Sequence, residues 1–175
     1  MKKVLYLATL LFCAVFTSCE KEKVGNTETM AMAGQWYVTV DAADESGNVV
    51  EGFEDLFGLG RHLLVTSNTA ANSASEMMID DLGNFWTYRV KVGCDINNLT
   101  FATGSQTVEN LNGDPIEVTI SNGKIVKDGG VQNNGSKADY IEFYVSFSDD
   151  TYPATYGYKN YKVSGIRYSG LAEND

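Results

Sequence analysis

From Gln35 onward, apolar and polar positions alternate with a period of two almost everywhere. In GQWYVTVD (34–41), Trp36, Val38 and Val40 fall on one face, and Tyr37, Thr39 and Asp41 on the other. The same period marks strands at 61–67 (its facing left open by adjacent Leu63 and Leu64), 75–79 and 85–92. In the last of these Trp86, Tyr88, Val90 and Val92 alternate with Thr87, Arg89 and Lys91, and DDLGN between the two supplies hairpin turn chemistry. A short strand is expected at 99–102, and another at 116–120, from which Asn122-Gly123 turns into 124–127. The clearest strand is ADYIEFYVSFS (138–148), with Ile141, Phe143, Val145 and Phe147 on one face. A last strand runs over 160–168. No stretch after the N-terminal segment carries the period of a long amphipathic helix. The pattern predicts an all-β, antiparallel domain of about eight or nine strands, either a sandwich or a closed barrel.

The two chain ends bear on that choice. Tyr161, Val163, Gly165 and Arg167 share one face of the last strand, so Arg167 points the same way as an apolar valine and needs a partner. In lipocalin-like barrels a Gly-x-Trp opens the first strand, and an arginine on the last strand stacks across that tryptophan. Gly34-Gln35-Trp36 and Arg167 resemble that pair, and the resemblance implies an up-and-down barrel closed between Trp36 and Arg167. The connection DDTYPATYGYK (149–159) is too short for the long helix that ordinary lipocalins carry there.

Composition narrows the function. The 175 residues suffice for one domain, and the formal charge of −10 disfavours nucleic acid and anionic lipid heads as electrostatic partners. Residues 1–18 read as a signal peptide, with Lys2 and Lys3 before an uncharged apolar run. Phe16-Thr17-Ser18-Cys19 resembles a bacterial lipobox, which implies cleavage before Cys19 and acylation of its thiol, although Phe16 stands where leucine is usual. Losing Lys2 and Lys3 with the signal takes the formal charge from −10 to −12. Residues 19–33 then form a flexible tether, 34–170 the barrel and 171–175 a polar tail. The EKEK at 20–23 resembles the charged segments that send some lipoproteins of Bacteroidetes to the cell surface, so an outer-membrane lipoprotein on the periplasmic face or the cell surface, with the surface favoured, is the expected location. Cys94 is left without a cysteine partner inside the mature chain.

Six stretches in chain order resemble one Bacteroidetes family, the lipid-binding putative hydrolases: AGQWYVTVD, VTSNTAAN, EMMIDDLGNFWTYRVKVGCD, VTISNGKI, NGSKADYIEFYVSFSDD and YKVSGIRYSG. The resemblance implies a calycin-like barrel on a lipoprotein anchor and brings no catalytic set with it. His62, the single histidine, is a candidate general base, but no Gly-x-Ser-x-Gly elbow accompanies it. Asp80-Asp81 and Asp149-Asp150 point to opposite faces and suit turns better than a paired acid and base. One histidine and one free cysteine leave no zinc set, and nothing indicates a cofactor. The long connection 42–60 carries Phe53, Leu56, Phe57 and Leu59, and is read as an apolar lid over the barrel mouth or as cover for a small core beneath it. The expectation is a lipid-anchored protein that holds a small hydrophobic or amphipathic, lipid-like ligand. Trp86, Tyr88, Phe143, Val145, Phe147, Phe53 and Phe57 are the candidate contacts. The alternatives are a hydrolase of lipid or ester substrates, and an accessory subunit of a nutrient-uptake complex that docks through exposed Tyr152, Tyr156 and Tyr158.

Overall fold

The structure, a computed structural model, describes residues 26–104, 106–109 and 113–174. The signal peptide, Cys19 and the first part of the tether lie outside the described residues. Among the described residues nine strands form: β1 (Gly34–Ala43), β2 (His62–Asn68), β3 (Glu76–Asp80), β4 (Arg89–Asp95), β5 (Thr100–Ala102), β6 (Gln106–Glu109), β7 (Pro115–Val131), β8 (Lys137–Phe147) and β9 (Asn160–Arg167). One helical turn, α1 (Tyr152–Tyr156), lies between β8 and β9. The sheet runs β5-β4-β3-β2-β1-β9-β8-β7-β6, and a further β5–β7 pairing closes eight strands into an antiparallel up-and-down barrel. β6 is the extra strand, paired to the first part of β7.

The period-two faces are the barrel wall. Trp36, Val38, Val40 and Ala42 are buried along β1, and Ile141, Phe143, Val145 and Phe147 along β8. Leu64 settles the facing of β2 by turning inward, while Leu63 is only partly buried.

Closure rests on the first and last strands. Trp36 lies opposite Arg167 in the β1–β9 register. The guanidinium sits 4.3 Å from the centre of the Trp36 ring, Nη1 donates to the Ala33 carbonyl at 2.6 Å, and Nε donates to Asp139 at 3.1 Å. A β-carbon on Gly34 would fall 2.1 Å from Nη1, and one on Gly165 would fall 1.8 Å from the Tyr37 carbonyl oxygen. Both glycines are therefore what lets the two strands and the guanidinium come together. The Trp36 indole N–H donates to the Thr66 hydroxyl at 2.9 Å, which donates to the Met32 carbonyl at 2.6 Å.

Thr27–Ala33 fall within the stretch read as tether, yet they fold as successive turns, with the Met30 N–H on the Thr27 carbonyl and those of Met32 and Ala33 on Thr29. Thr29 and Met32 are fully buried beneath Trp36. This plug defines the base of the barrel. The connections after β1, β3 and β8 define its mouth.

Three strand expectations change. Asn122-Gly123 is not a turn: β7 runs through it with a register shift between Ser121 and Lys124. Asn122 takes φ 51°, and a β-carbon on Gly123 would meet the Phe101 ring at 2.2 Å. A bulge asks for the same left-handed backbone as a hairpin turn, so Asn-Gly satisfies either. β4 begins at Arg89 rather than Phe85, which leaves Trp86 in a loop. β6 had no recognised pattern; the Gln106 side chain accepts from the Lys91 N–H at 3.1 Å and donates to the Lys91 carbonyl, standing in for a ladder partner.

At the base Asp139 bridges Lys127 (2.8 Å) and Arg167 (3.1 Å), while on the outer wall Glu142 bridges Lys124 (2.9 Å) and Lys162 (3.6 Å). Burial pushes both carboxyls up. For Asp139 the Lys127 ammonium, the Asp128 N–H and Arg167 outweigh it; for Glu142 the bonds from Lys124 and Tyr140 and the charge of Lys162 do. Both therefore titrate below their ordinary range. Their contribution is complete above the unfolded carboxyl values of about 4 and is lost as pH falls through the lower folded values. Asp139→Asn should flatten the acid limb of a stability–pH curve measured by urea unfolding. Gly34→Ala should cost about 1–3 kcal/mol by displacing the guanidinium, whereas Gly104→Ala, with open space around it, should stay within about 0.5 kcal/mol.

Candidate ligand-binding mouth

The β3–β4 loop is organised by one carboxylate. Asp81 is buried, and its Oδ1 accepts from the N–H groups of Gly83 (2.9 Å) and Tyr88 (3.0 Å). Its Oδ2 accepts from Phe85 (3.0 Å), Trp86 (3.1 Å) and Thr87 (3.1 Å). Five amides on one carboxylate bend the chain away from strand geometry, which is why the alternation read through Trp86 stops short. Leu82 and Thr87 take positive φ within this loop. The sequence reading of Asp81 as a turn residue bonded to its own backbone matches this geometry.

The loop delivers Phe85 and Trp86 over the end of the barrel. Trp86 stacks on Phe147 with centres 4.8 Å apart and planes 9° apart, and its indole N–H donates to Asp149 at 3.0 Å. Phe85 meets Tyr161 edge-on at 4.9 Å, and Tyr88 lies 5.5 Å from Phe147. From the β1–β2 connection Phe57 reaches Tyr152 (5.4 Å), Phe85 (5.5 Å), Tyr161 (5.8 Å) and Trp86 (6.1 Å). Phe53 packs toward Tyr156 (5.8 Å) and Tyr158 (6.2 Å). Three loops thus close the mouth with rings.

The β1–β2 connection is tied down rather than loose. Val50 donates to the Ala42 carbonyl at 2.9 Å, Ala42 to that of Phe53 at 3.1 Å, and the Asp55 N–H to the Asp41 carboxylate at 2.9 Å. The Asp55 carboxylate in turn accepts from the Leu59 and Gly60 N–H groups. On α1, Tyr152 and Tyr156 stack at 5.9 Å and stand 42% and 51% exposed. Tyr158 is buried and not available for docking, contrary to expectation. Its hydroxyl shares a 2.7 Å bond with that of Tyr161, which donates to Asp150 at 2.6 Å. Burial, reinforced by the bond to Asp150, pushes the Tyr161 phenol far above its ordinary range. This string runs through the ring cluster.

The candidate residues divide between two places. Trp86, Tyr88, Phe147, Phe53 and Phe57 converge at the mouth. Phe143 and Val145 do not: both are fully buried in the wall's interior, Phe143 against Phe101 at 5.7 Å, and they serve as core. Trp36 and Arg167 form the closure at the base. Sequence reasoning missed Phe85 and Tyr161 as members of the cluster. Tyr161 was visible as the position in phase with Val163. Phe85 was hidden because its loop read as strand.

His62 sits at the mouth end of β2, with Nδ1 3.2 Å from the Gly60 carbonyl. Cys94 is at the base end of β4, its Sγ 3.7 Å from the Ala74 carbonyl and its thiol pushed up by burial. The two lie at opposite ends of the barrel and cannot act as a nucleophile–base pair. A cavity of about 620 Å³ adjoins Cys94, Phe101, Gly123 and Lys124 beside the β5–β7 join, and one of about 300 Å³ adjoins Gln132, Asp139 and Arg167 at the base.

A closed up-and-down barrel, plugged at one end and roofed with aromatic loops at the other, has lipocalin-like architecture. The chain belongs to the family described as lipid-binding putative hydrolase, whose match covers residues 21–172. No curated protein matches it.

Asp81→Ala would leave five buried or half-buried amides without their acceptor. The unfolding free energy should fall by about 3 kcal/mol or more, and in a Trp36→Phe background the remaining Trp86 emission should shift to the red.

Proposed function

We propose that this protein is a lipid-anchored carrier of one small amphipathic, lipid-like molecule, held at the aromatic mouth, on an outer membrane and facing the cell surface. The family's lipid-binding character and the closed barrel support the general reading. The observation that carries the specific one is Phe57. A loop residue, it lies over Phe85, Trp86, Tyr152 and Tyr161, where an apolar chain would rest once the loop lifts. Removing a phenylalanine from such contacts costs about 1.5–3 kcal/mol, which an incoming acyl chain of comparable area repays. The Tyr158–Tyr161–Asp150 string offers hydroxyl and carboxylate partners to a polar head. Hydrolysis is no part of this reading, because His62 engages a backbone carbonyl and Cys94 is at the far end.

The uncharged probe N-phenyl-1-naphthylamine tests it. Delipidated protein should bind the probe saturably at one site and quench Trp86. Trp86→Ala should weaken binding about tenfold, and Phe57→Ala should speed association several-fold by removing the cover. Mass spectrometry of an organic extract of the natively purified chain should find a co-purified lipid. An empty extract together with no saturable probe binding would end the proposal. Unchanged association in Phe57→Ala, or unchanged uptake after deleting Phe53–Phe57 from a chain that still folds, would end the lid.

A further inference from the structure

We infer that the base of the barrel rests on the bilayer that holds the acyl anchor, so that the mouth faces away from it. This rests on the anchored reading above and adds the orientation. The described chain begins at Asn26 and enters through the turns of Thr27–Ala33, which plug the base. Those turns are fastened to the wall and its base: the Glu28 N–H donates to Asn72 of the β2–β3 loop at 3.0 Å, and the Lys127 ammonium of β7 to the Ala31 carbonyl at 3.4 Å.

Only Glu20–Gly25 separate Cys19 from Asn26. At no more than about 3.6 Å per residue that stretch reaches about 25 Å. The ten residues of β1 rise about 33 Å along the strand, or about 25 Å along a barrel axis tilted by some 40°. Turning the mouth to the bilayer would thus use the whole reach of the tether.

Surface chemistry separates the two ends further. The base exposes Met30 (57%), Val131 (65%) and Leu171 (51%). Val131 borders the β7–β8 loop, which binds the C-terminal turn through the Asn134 N–H on Asn174 at 3.0 Å, so these apolar side chains belong to one end. Lys127 and Lys137 stand beside them and Arg167 nearby, against Glu28, Asp95, Asp128, Asp139 and Glu173. The mouth differs: residues 44–60 hold Asp44, Glu45, Glu51, Glu54 and Asp55 with no basic residue, and 148–159 hold Asp149 and Asp150 against Lys159. An anionic bilayer therefore repels that rim more strongly than the base, where the exposed apolar side chains lie.

Lysine footprinting tests the orientation. The mature chain with Cys94→Ser is coupled through Cys19 to a maleimide phospholipid in phosphatidylethanolamine–phosphatidylglycerol vesicles, and acetylation of each lysine is read by mass spectrometry. Lys127 and Lys137 should lose at least threefold in reactivity relative to the uncoupled protein, and Lys159 should keep its rate. Changing Met30, Val131 and Leu171 together to Asp should restore the two base lysines. Protection of Lys159, equal protection at both ends, or no protection would overturn the orientation. The mass of the N-terminal peptide from membranes is a separate reading: an unmodified Cys19 would remove the anchor, and this orientation with it, whatever the footprint of the coupled chain.

Discussion

A closed sheet has no edge to spare, and this one joins its first and last strands at one crowded contact. Arg167 sits over Trp36, reaches the Ala33 carbonyl and holds Asp139, in space that exists only because residue 34 has no side chain. The ring–guanidinium contact itself is worth up to about 2 kcal/mol when desolvated. Its larger effect is geometric. It fixes the register of β1 against β9, and that register carries Val38, Val40, Val163 and Tyr161 into one interior. With Trp36 committed to the base, the other tryptophan and most of the remaining rings are left to the mouth.

At the mouth, order comes from carboxylates rather than from strands. Asp81 gathers five amides, Asp55 caps its own loop, Asp149 holds Trp86 and Asp150 holds Tyr161. Each has a local partner. The acidity that looks like a solvated surface in the composition is, at these positions, the scaffold that aims aromatic rings at one point. Rings from three connections can meet there because none needs strand pairing to hold its place. Phe57 is held in this roof by ring contacts, while hydrogen bonds to Asp41 and Ala42 anchor the rest of its connection to the wall, so the side chain that the proposed carriage turns on is the one bound by packing.

Much of this was legible in the sequence. The alternation of β1, β8 and β9 reflects burial on one face, the strongest constraint on any half-buried strand, and Gly34, Trp36 and Arg167 carried enough chemistry to join the ends. What failed did so where one signal serves two geometries. Asn122-Gly123 supplies a left-handed backbone to a bulge as readily as to a hairpin. Phe85 to Tyr88 alternates like a strand, but Asp81 collects its amides before a neighbour can. Gln106 completes the wall with a side chain, for which no periodicity exists. Phe143 and Val145 face inward as expected, yet facing inward does not separate a ligand's contacts from ordinary core. Tyr158 lay in a polar, loop-like stretch and is buried through a hydroxyl bond to a residue on the next strand.

The bond from Arg167 to Ala33 joins positions 134 apart. A nascent chain emerges with Trp36 long before its arginine exists, so β1 must wait with one edge unpaired while every other strand is made. Joining distant segments is entropically costly and slow, and a waiting edge is a template for the wrong neighbour. Any chain cut short before Tyr161 has no closure to reach. For this barrel, quality control falls on the last eight or so residues of the sheet, and a truncated product would be distinguished by its open edge rather than by a missing core.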